Sequence, residues 1–151
     1  MLAVKKENIS PGRRKAREEI KIMVSNDEIE KEAKIIVDAC IKVHRELGPG
    51  LLESTYQFCL AHELRTRGKS MRCEVMLPVR FDGIEIEAGY RIDMLVAECI
   101  VIENKSVSSL LPIHEAQHLT YLKLSGFRLG FLVNWNVPLI KDGIRRKVNN
   151  L

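Results

Sequence analysis

Hydrophobic positions in the first third of the chain recur at helical spacing. In "SNDEIEKEAKIIVDACIKVHRELG", Ile29, Ala33, Ile36, Cys40, Val43 and Leu47 fall on one stripe of a helix. Ser25 or Asn26 supplies a cap, acidic residues fill the first turn, and Gly48-Pro49-Gly50 stops the helix. A second helix covers about 51–67 and ends at Gly68. The period then changes to two. "CEVMLPVRFDG" reads as a strand in which Pro78 marks an edge or bulge, and Asp82-Gly83 is a hairpin turn signal. "IEIEAGYRIDMLVA" and "CIVIENKSV" read as two further strands. A helix over about 112–125 carries Pro112 in its first turn, "FRLGFLVNW" is another strand, and "KDGIRRKVNN" reads as a short terminal helix. The order ααβββαβ predicts an α/β fold, with a central mixed β-sheet flanked by helices.

At 151 residues the chain is long enough for one domain with its own core. No apolar run approaches the roughly 20 residues that span a bilayer, and no apolar signal core follows Met1. Both absences predict a cytoplasmic protein with no membrane partner. The net charge of +4 is unevenly spread. Residues 1–22 hold seven Lys/Arg and three Glu, whereas residues 23–151 hold 17 charges of each sign. Residues 1–25 therefore read as a basic extension, a mobile or helical arm able to touch phosphates, ahead of a charge-balanced domain over 26–151. Met23 equally offers a start that omits most of it. Any nucleic-acid work in the domain itself must be local. Cys40, Cys59, Cys73 and Cys99 form no C-x-x-C pair and sit in apolar patterns, so they read as small buried thiols. "RGKS" ends like a phosphate-binding loop but follows a helix, and Glu63 stands where the first glycine is needed.

The candidate chemistry lies in "YRIDMLVAECIVIENKSV". Asp93 interrupts one apolar strand, and Glu103 and Lys105 stand two apart in the next, on one strand face. If residues 97–99 form the turn, position 96 pairs with 100 and Asp93 falls opposite Glu103. Directly opposed Cβ atoms lie about 4.5–5.5 Å apart. Two carboxylates so close repel unless a cation sits between them, and oxygen ligands suit a hard divalent ion such as Mg²⁺.

This arrangement resembles the PD-(D/E)xK nuclease superfamily. Roughly residues 26–147 also resemble the GxxExxY protein family within it, through Gly50-Leu51-Leu52-Glu53-Ser54-Thr55-Tyr56. Asp93 followed by Glu103-Asn104-Lys105 matches the superfamily motif, and Gln117-x-x-x-Tyr121 matches its motif on the next helix. The resemblance implies a restriction-endonuclease-like fold and hydrolysis of nucleic-acid phosphodiesters with Mg²⁺ or Mn²⁺. It implies that Asp93 and Glu103 hold the metal, helped by the backbone carbonyl of Asn104. Lys105 would orient the attacking water. Glu53 would add a carboxylate from its helix, and Gln117 would steady the lysine or a phosphate oxygen. The middle residue of the E-x-K run is usually apolar in such proteins and is Asn104 here. DNA and RNA both remain as substrates. A homodimer is compatible, because one small domain cuts one strand and paired sites would cut two.

Gln117 stands at helical spacing from Ile113, Thr120 and Leu124 and is expected to face the sheet. Tyr56 and Tyr121 read as packing residues with tethered hydroxyls. Two other readings start from the same residues. His114-Glu115-Ala116-Gln117-His118 matches H-E-x-x-H, the helix of zinc proteases. No histidine follows His118, and Asp142 is the only later acid to serve as a third ligand. The other reading is a nuclease-fold binding module without turnover.

Overall fold

A computed structural model describes residues 23–151 and, before them, Gly12 and Lys15. Apart from those two residues, the basic arm expected at the N-terminus lies, up to residue 22, outside the described residues. Helix α1 (Asn26–Leu47) and helix α2 (Glu53–Thr66) come first. Strands β1 (Met71–Met76), β2 (Val79–Phe81), β3 (Ile84–Ile86), β4 (Arg91–Val96) and β5 (Ile100–Lys105) follow. Helix α3 (Pro112–Ser125), strand β6 (Leu129–Asn134), a 3₁₀ turn (Ile140–Asp142) and strand β7 (Ile144–Val148) complete the order.

Helix α1 begins where its sequence signals place it. The Ser25 hydroxyl accepts from the Glu28 N–H at 3.2 Å, and Glu28 accepts from the Ser25 N–H at 2.8 Å, a reciprocal capping box. Its stripe of Ile29, Ala33, Ile36, Cys40 and Val43 is buried, whereas Leu47 is exposed. Glu63 of α2 is buried between two cations, accepting from Lys42 at 2.9 Å and from Arg67 at 2.8 Å. Arg67 also reaches Asp38 at 2.6 Å, so one charge network fastens α2 to α1.

The main sheet has five strands in the order β1-β4-β5-β6-β7. Its pairings are antiparallel except β5 with β6, and that parallel step is the one bridged by α3. Helices α1 and α2 cover one face over a core that includes Met94, Val96, Ile100, Ile102, Phe131 and Trp135. Helix α3 covers the other through Tyr121 and Leu122, over Ile92, Leu95 and Val101. This is the central mixed sheet flanked by helices that the pattern predicts.

Four expectations need correction. The terminal segment is not a helix: after the 3₁₀ turn it becomes β7, antiparallel to β6. The Gly143 carbonyl accepts from the Asn134 N–H at 2.8 Å. A Cβ at Gly143 would lie 2.1 Å from the Asn134 carbonyl oxygen, so glycine permits the approach that brings this segment to the edge of the sheet. The two long segments around Asp82-Gly83 are each split. Val79↔Ile86 and Phe81↔Ile84 pair as a separate two-stranded ribbon, while Met71–Met76 and Arg91–Val96 join the main sheet. Pro78 lacks the N–H to continue one segment, and Gly89 at φ +77 turns the other. The thiols are all free, but only Cys40 and Cys99 are buried; Cys59 and Cys73 are half-buried.

The fourth correction concerns α3. Gln117 is exposed, and His118 is the residue that faces the sheet, 1% exposed. Its ring lies against Gly130, where a Cβ would come within 2.5 Å of Nε2. Burial holds the imidazole well below its ordinary range, at about 4, so the ring is neutral in the core. Gly130→Ala should therefore push α3 off the sheet. The expected cost is about 1–3 kcal/mol in urea denaturation, partly recovered when His118→Ala is added. A Gly130→Ala protein as stable as the parent would show that α3 does not depend on this slot.

Candidate active site

The β4–β5 hairpin turns through residues 97–99, with Ala97 at φ 50 and Glu98 at φ 53. Its register runs Val96↔Ile100, Leu95↔Val101 and Met94↔Ile102, so Asp93 stands opposite Glu103. The backbone ladder stops at that point. The Asn104 N–H donates instead to the Asp93 carboxylate at 2.8 Å. A side chain has taken the place of a strand carbonyl, and the carboxylate is fixed at the fork between the strands.

Val101 packs toward α3, so the two-residue period of β5 puts Glu103 and Lys105 on that face, and the Asn104 N–H holds the Asp93 carboxylate at the fork beside them. Glu103 is 7% exposed, and its Oε1 is buried with no hydrogen-bond partner. Loss of solvent raises the Glu103 carboxyl to about 9, with the neighbouring Asp93 charge adding to the effect and Lys105 opposing it. Asp93 is also raised by burial, to about 6; the Asn104 N–H and Lys105 pull it down, while Glu53 and Glu74 push it up. Lys105 itself is half-buried. The cluster thus sets four carboxylates, Glu103 buried and Asp93 half-buried, against one ammonium.

Glu53 is brought to this cluster by a chain of contacts that begins behind the sheet. Asn104 points its side chain to the α1–α2 face, where Oδ1 accepts from the Trp135 indole at 2.9 Å. Its Nδ2 approaches the Met94 sulfur at 3.3 Å. The indole stacks on Tyr56, centroids 4.9 Å apart and rings 2° from parallel. The Tyr56 hydroxyl donates to the Gly48 carbonyl and accepts from the Leu51 N–H at 3.1 Å. Ser106, next after Lys105, donates to the Leu51 carbonyl at 2.8 Å. The loop ahead of α2 is therefore held from both sides. Glu53 starts the helix, exposed, where the dipole favours an acid.

Gln117 reaches the site indirectly. Its side-chain N–H donates to the Tyr121 hydroxyl at 3.1 Å, and Tyr121 feels the charges of Glu103 and Asp93. Tyr90 meets Tyr121 edge-on with centroids 6.1 Å apart. The structure thus brings together Asp93, Glu103 and Lys105, sets Glu53 beside them, and leaves Gln117 at the rim behind Tyr121. Glu74, opposite Asp93 across β1 and β4, is the member that sequence reasoning missed. The signal was a lone acid between two apolar residues of a strand, Cys73 and Val75, the same signal that exposed Asp93.

The H-E-x-x-H match dissolves into ordinary roles. His114 Nδ1 accepts from the Leu111 N–H at 3.0 Å at the start of the helix. Glu115 pairs with Lys147 at 2.8 Å. His118 is buried against Gly130, turned from solvent and from His114's end of the helix. Among the described residues no three His, Cys, Asp or Glu side chains gather closely enough to hold a metal by themselves. Asp93 and Glu103 remain a two-carboxylate donor set, and the unpartnered buried Oε1 of Glu103 fits a cation that completes its coordination with water.

The sequence matches the PD-(D/E)XK nuclease superfamily over residues 30–147, and the chain belongs to that superfamily. No curated protein and no solved structure shows a significant match. Among the described residues no helix is long and apolar enough to cross a membrane.

The buried Glu103 carboxyl gives the metal-free protein a defined pH dependence. Glu103 keeps its proton in the folded chain up to about 9 but releases it near the ordinary 4.5 when unfolded. The associated stability is present below 4.5 and is lost as pH rises toward 9. Glu103→Gln escapes that loss. In EDTA it should be more stable than the parent by a gap that opens above 4.5 and exceeds about 1 kcal/mol near pH 8. Chemical denaturation across pH measures it, and a gap independent of pH would contradict the buried-acid assignment.

Proposed function

We propose that this protein is a divalent-metal-dependent nuclease that hydrolyses phosphodiester bonds of nucleic acid, and that it belongs to the GxxExxY family within its superfamily. The observation that carries this reading is the Asp93–Glu103 pair, Asp93 half-buried and Glu103 buried, with an unpartnered Glu103 oxygen and Lys105 beside it. A metal there, Mg²⁺ or Mn²⁺, would be held by the two carboxylates and the Asn104 carbonyl, and would supply electrophilic activation of the phosphodiester.

The chain's own residues account for the rest. Asp93 is oriented by the Asn104 N–H, so its carboxylate need not reorganise as substrate arrives. Lys105 holds an attacking water by hydrogen bonding and offsets the extra negative charge that develops on the phosphate. Water forms the new P–O bond as the ester P–O bond breaks; the attacking water releases a proton to solvent, and the leaving oxygen takes one from solvent. Glu53 orders a further water at the rim. Gln117 fixes the Tyr121 hydroxyl, which lines the entry to the site.

Incubation with single- and double-stranded DNA and RNA, in Mg²⁺, Mn²⁺ or EDTA, tests the activity and identifies the polymer. The variants separate metal binding from chemistry. Lysine does not coordinate Mg²⁺, so Lys105→Ala should keep the metal and bind nucleic acid while cutting at least about a hundredfold more slowly. Asp93→Ala should lose metal binding and cleavage together. Wild-type cleavage by Lys105→Ala would assign the activity to another site.

A further inference from the structure

The pairing of β1 with β4 carries a feature that the motif residues do not explain. Met71↔Val96, Cys73↔Met94, Val75↔Ile92 and Met76↔Arg91 keep one register, which places Glu74 opposite Asp93. Glu74 is nevertheless at φ 54, the left-handed region that a glutamate rarely enters. The strand faces reverse there. Cys73 packs with the core under α1 and α2, whereas Val75 packs with the core under α3. On β4 the same change separates Met94 from Ile92. Strain at a single non-glycine residue persists only where the surroundings impose it, and it gathers at functional sites.

The surroundings of Glu74 hold its carboxylate without neutralising it. Gln57 donates to Oε1 at 2.8 Å. Among the described residues, no ion pair includes Glu74, although Arg65 is near enough to influence the adjacent Cys73. Gln57 lies four residues after Glu53, on the same face of α2. One helix face thus delivers Glu53 and the residue that orients Glu74. A neutral amide holding a carboxylate beside another carboxylate makes little sense as a stabilising device. It fits a carboxylate kept available for a cation. A second observation points to that cation independently: the Oε1 of Glu103, more than nine-tenths buried, has no partner.

We propose that Glu74 is a third carboxylate of the cation site, positioned by Gln57, and that it accepts hydrogen bonds from the water shell of the ion. The inference rests on the reading of Asp93 and Glu103 as ligands of a divalent cation. Hard cations bound by few protein oxygens keep several waters, and carboxylates outside the inner shell fix those waters.

The test is Mn²⁺ binding to the full chain, by calorimetric titration and by the paramagnetic signal of free Mn²⁺, with thermal unfolding in EDTA as the check on folding. Glu74 is exposed, so its variants should fold. Glu74→Gln and Glu74→Gly should each weaken Mn²⁺ by about tenfold, and Gln57→Leu by a smaller factor in the same direction. Glu74→Gly should also unfold at a higher temperature than Glu74→Gln, because glycine relieves the left-handed backbone. A wild type that takes no Mn²⁺, or an Asp93→Asn protein that binds it as well as the wild type, removes the cation site and this inference with it. A wild type that binds, an Asp93→Asn that does not, and a Glu74→Gln of wild-type affinity overturn the role of Glu74 alone. So does wild-type affinity in Glu74→Gly beside weak binding in Glu74→Gln, which would trace the effect to backbone geometry.

Discussion

The hydrogen bond from the Trp135 indole to Asn104 is the contact on which the site's geometry depends. Trp135 and Asn104 are both fully buried, so neither polar group has water to turn to. Asn104 is thereby locked with its side chain behind the sheet and its N–H toward Asp93. The indole in turn gives Tyr56 a flat surface to stack on, a contact worth about 0.5–1.5 kcal/mol beyond the area it buries. Tyr56 then pins the loop from which Glu53 emerges. An apolar residue at 104 would keep the strand but leave a buried indole N–H without a partner, at about 1–3 kcal/mol. This explains an asparagine where such proteins usually carry an apolar side chain.

A second constraint opposes the first. The core wants apolar contents at the fork between β4 and β5, yet the fork holds two carboxylates and a lysine. Isolated buried charge is costly enough that the acids keep their protons past the ordinary range. The fold tolerates this because the rest of the hairpin is apolar and well paired: Met94, Leu95, Val96, Ile100, Val101 and Ile102 are all essentially buried. In the proposed reading the destabilised end is the one that takes the cation. A site that costs stability when empty would gain correspondingly from such a cation, by mass action on the folded state.

Most of this was legible in the chain, and the exceptions share a cause. Helix α1, its cap and its stripe follow from local spacing. The Asp93–Glu103 register follows from one assumption about the 97–99 turn, since a two-residue period leaves no freedom once the turn is set. The Gly50–Tyr56 motif could be read as residue types, but the contacts that pin it include Ser106 on Leu51 and the Trp135 ring on Tyr56, both far away in sequence. The orientation of α3 failed for a similar reason. His118 and Gln117 are neighbours on the helix, and a polar amide and a neutral imidazole look alike to a hydrophobic pattern. Gly130 decided between them, by opening a slot in β6 that fits a ring. The terminal strand failed because "KDGIRRKV" carries two half-buried positions in five, Ile144 and Lys147, too few to impose any period. Its structure comes from the open edge of β6 and from the close approach at Gly143.

The same logic accounts for the two motifs that shared one helix. H-E-x-x-H requires two imidazoles presented from one accessible face, and here the sheet has claimed one of them. Gln-x-x-x-Tyr requires an amide within reach of a hydroxyl one turn on, and the 3.1 Å contact between Gln117 and Tyr121 meets that requirement at the rim of the carboxylate pair. Both patterns fit an α-helix equally well, so helical spacing had no power to choose. What chose was the partner surface. The strand beneath α3 offers a glycine slot at one position and the carboxylate-lined fork near the next turn. Chemistry on this helix is therefore assigned by the sheet: a residue acquires its role from what stands opposite it, and the fork between β4 and β5 is where unmet charge stands.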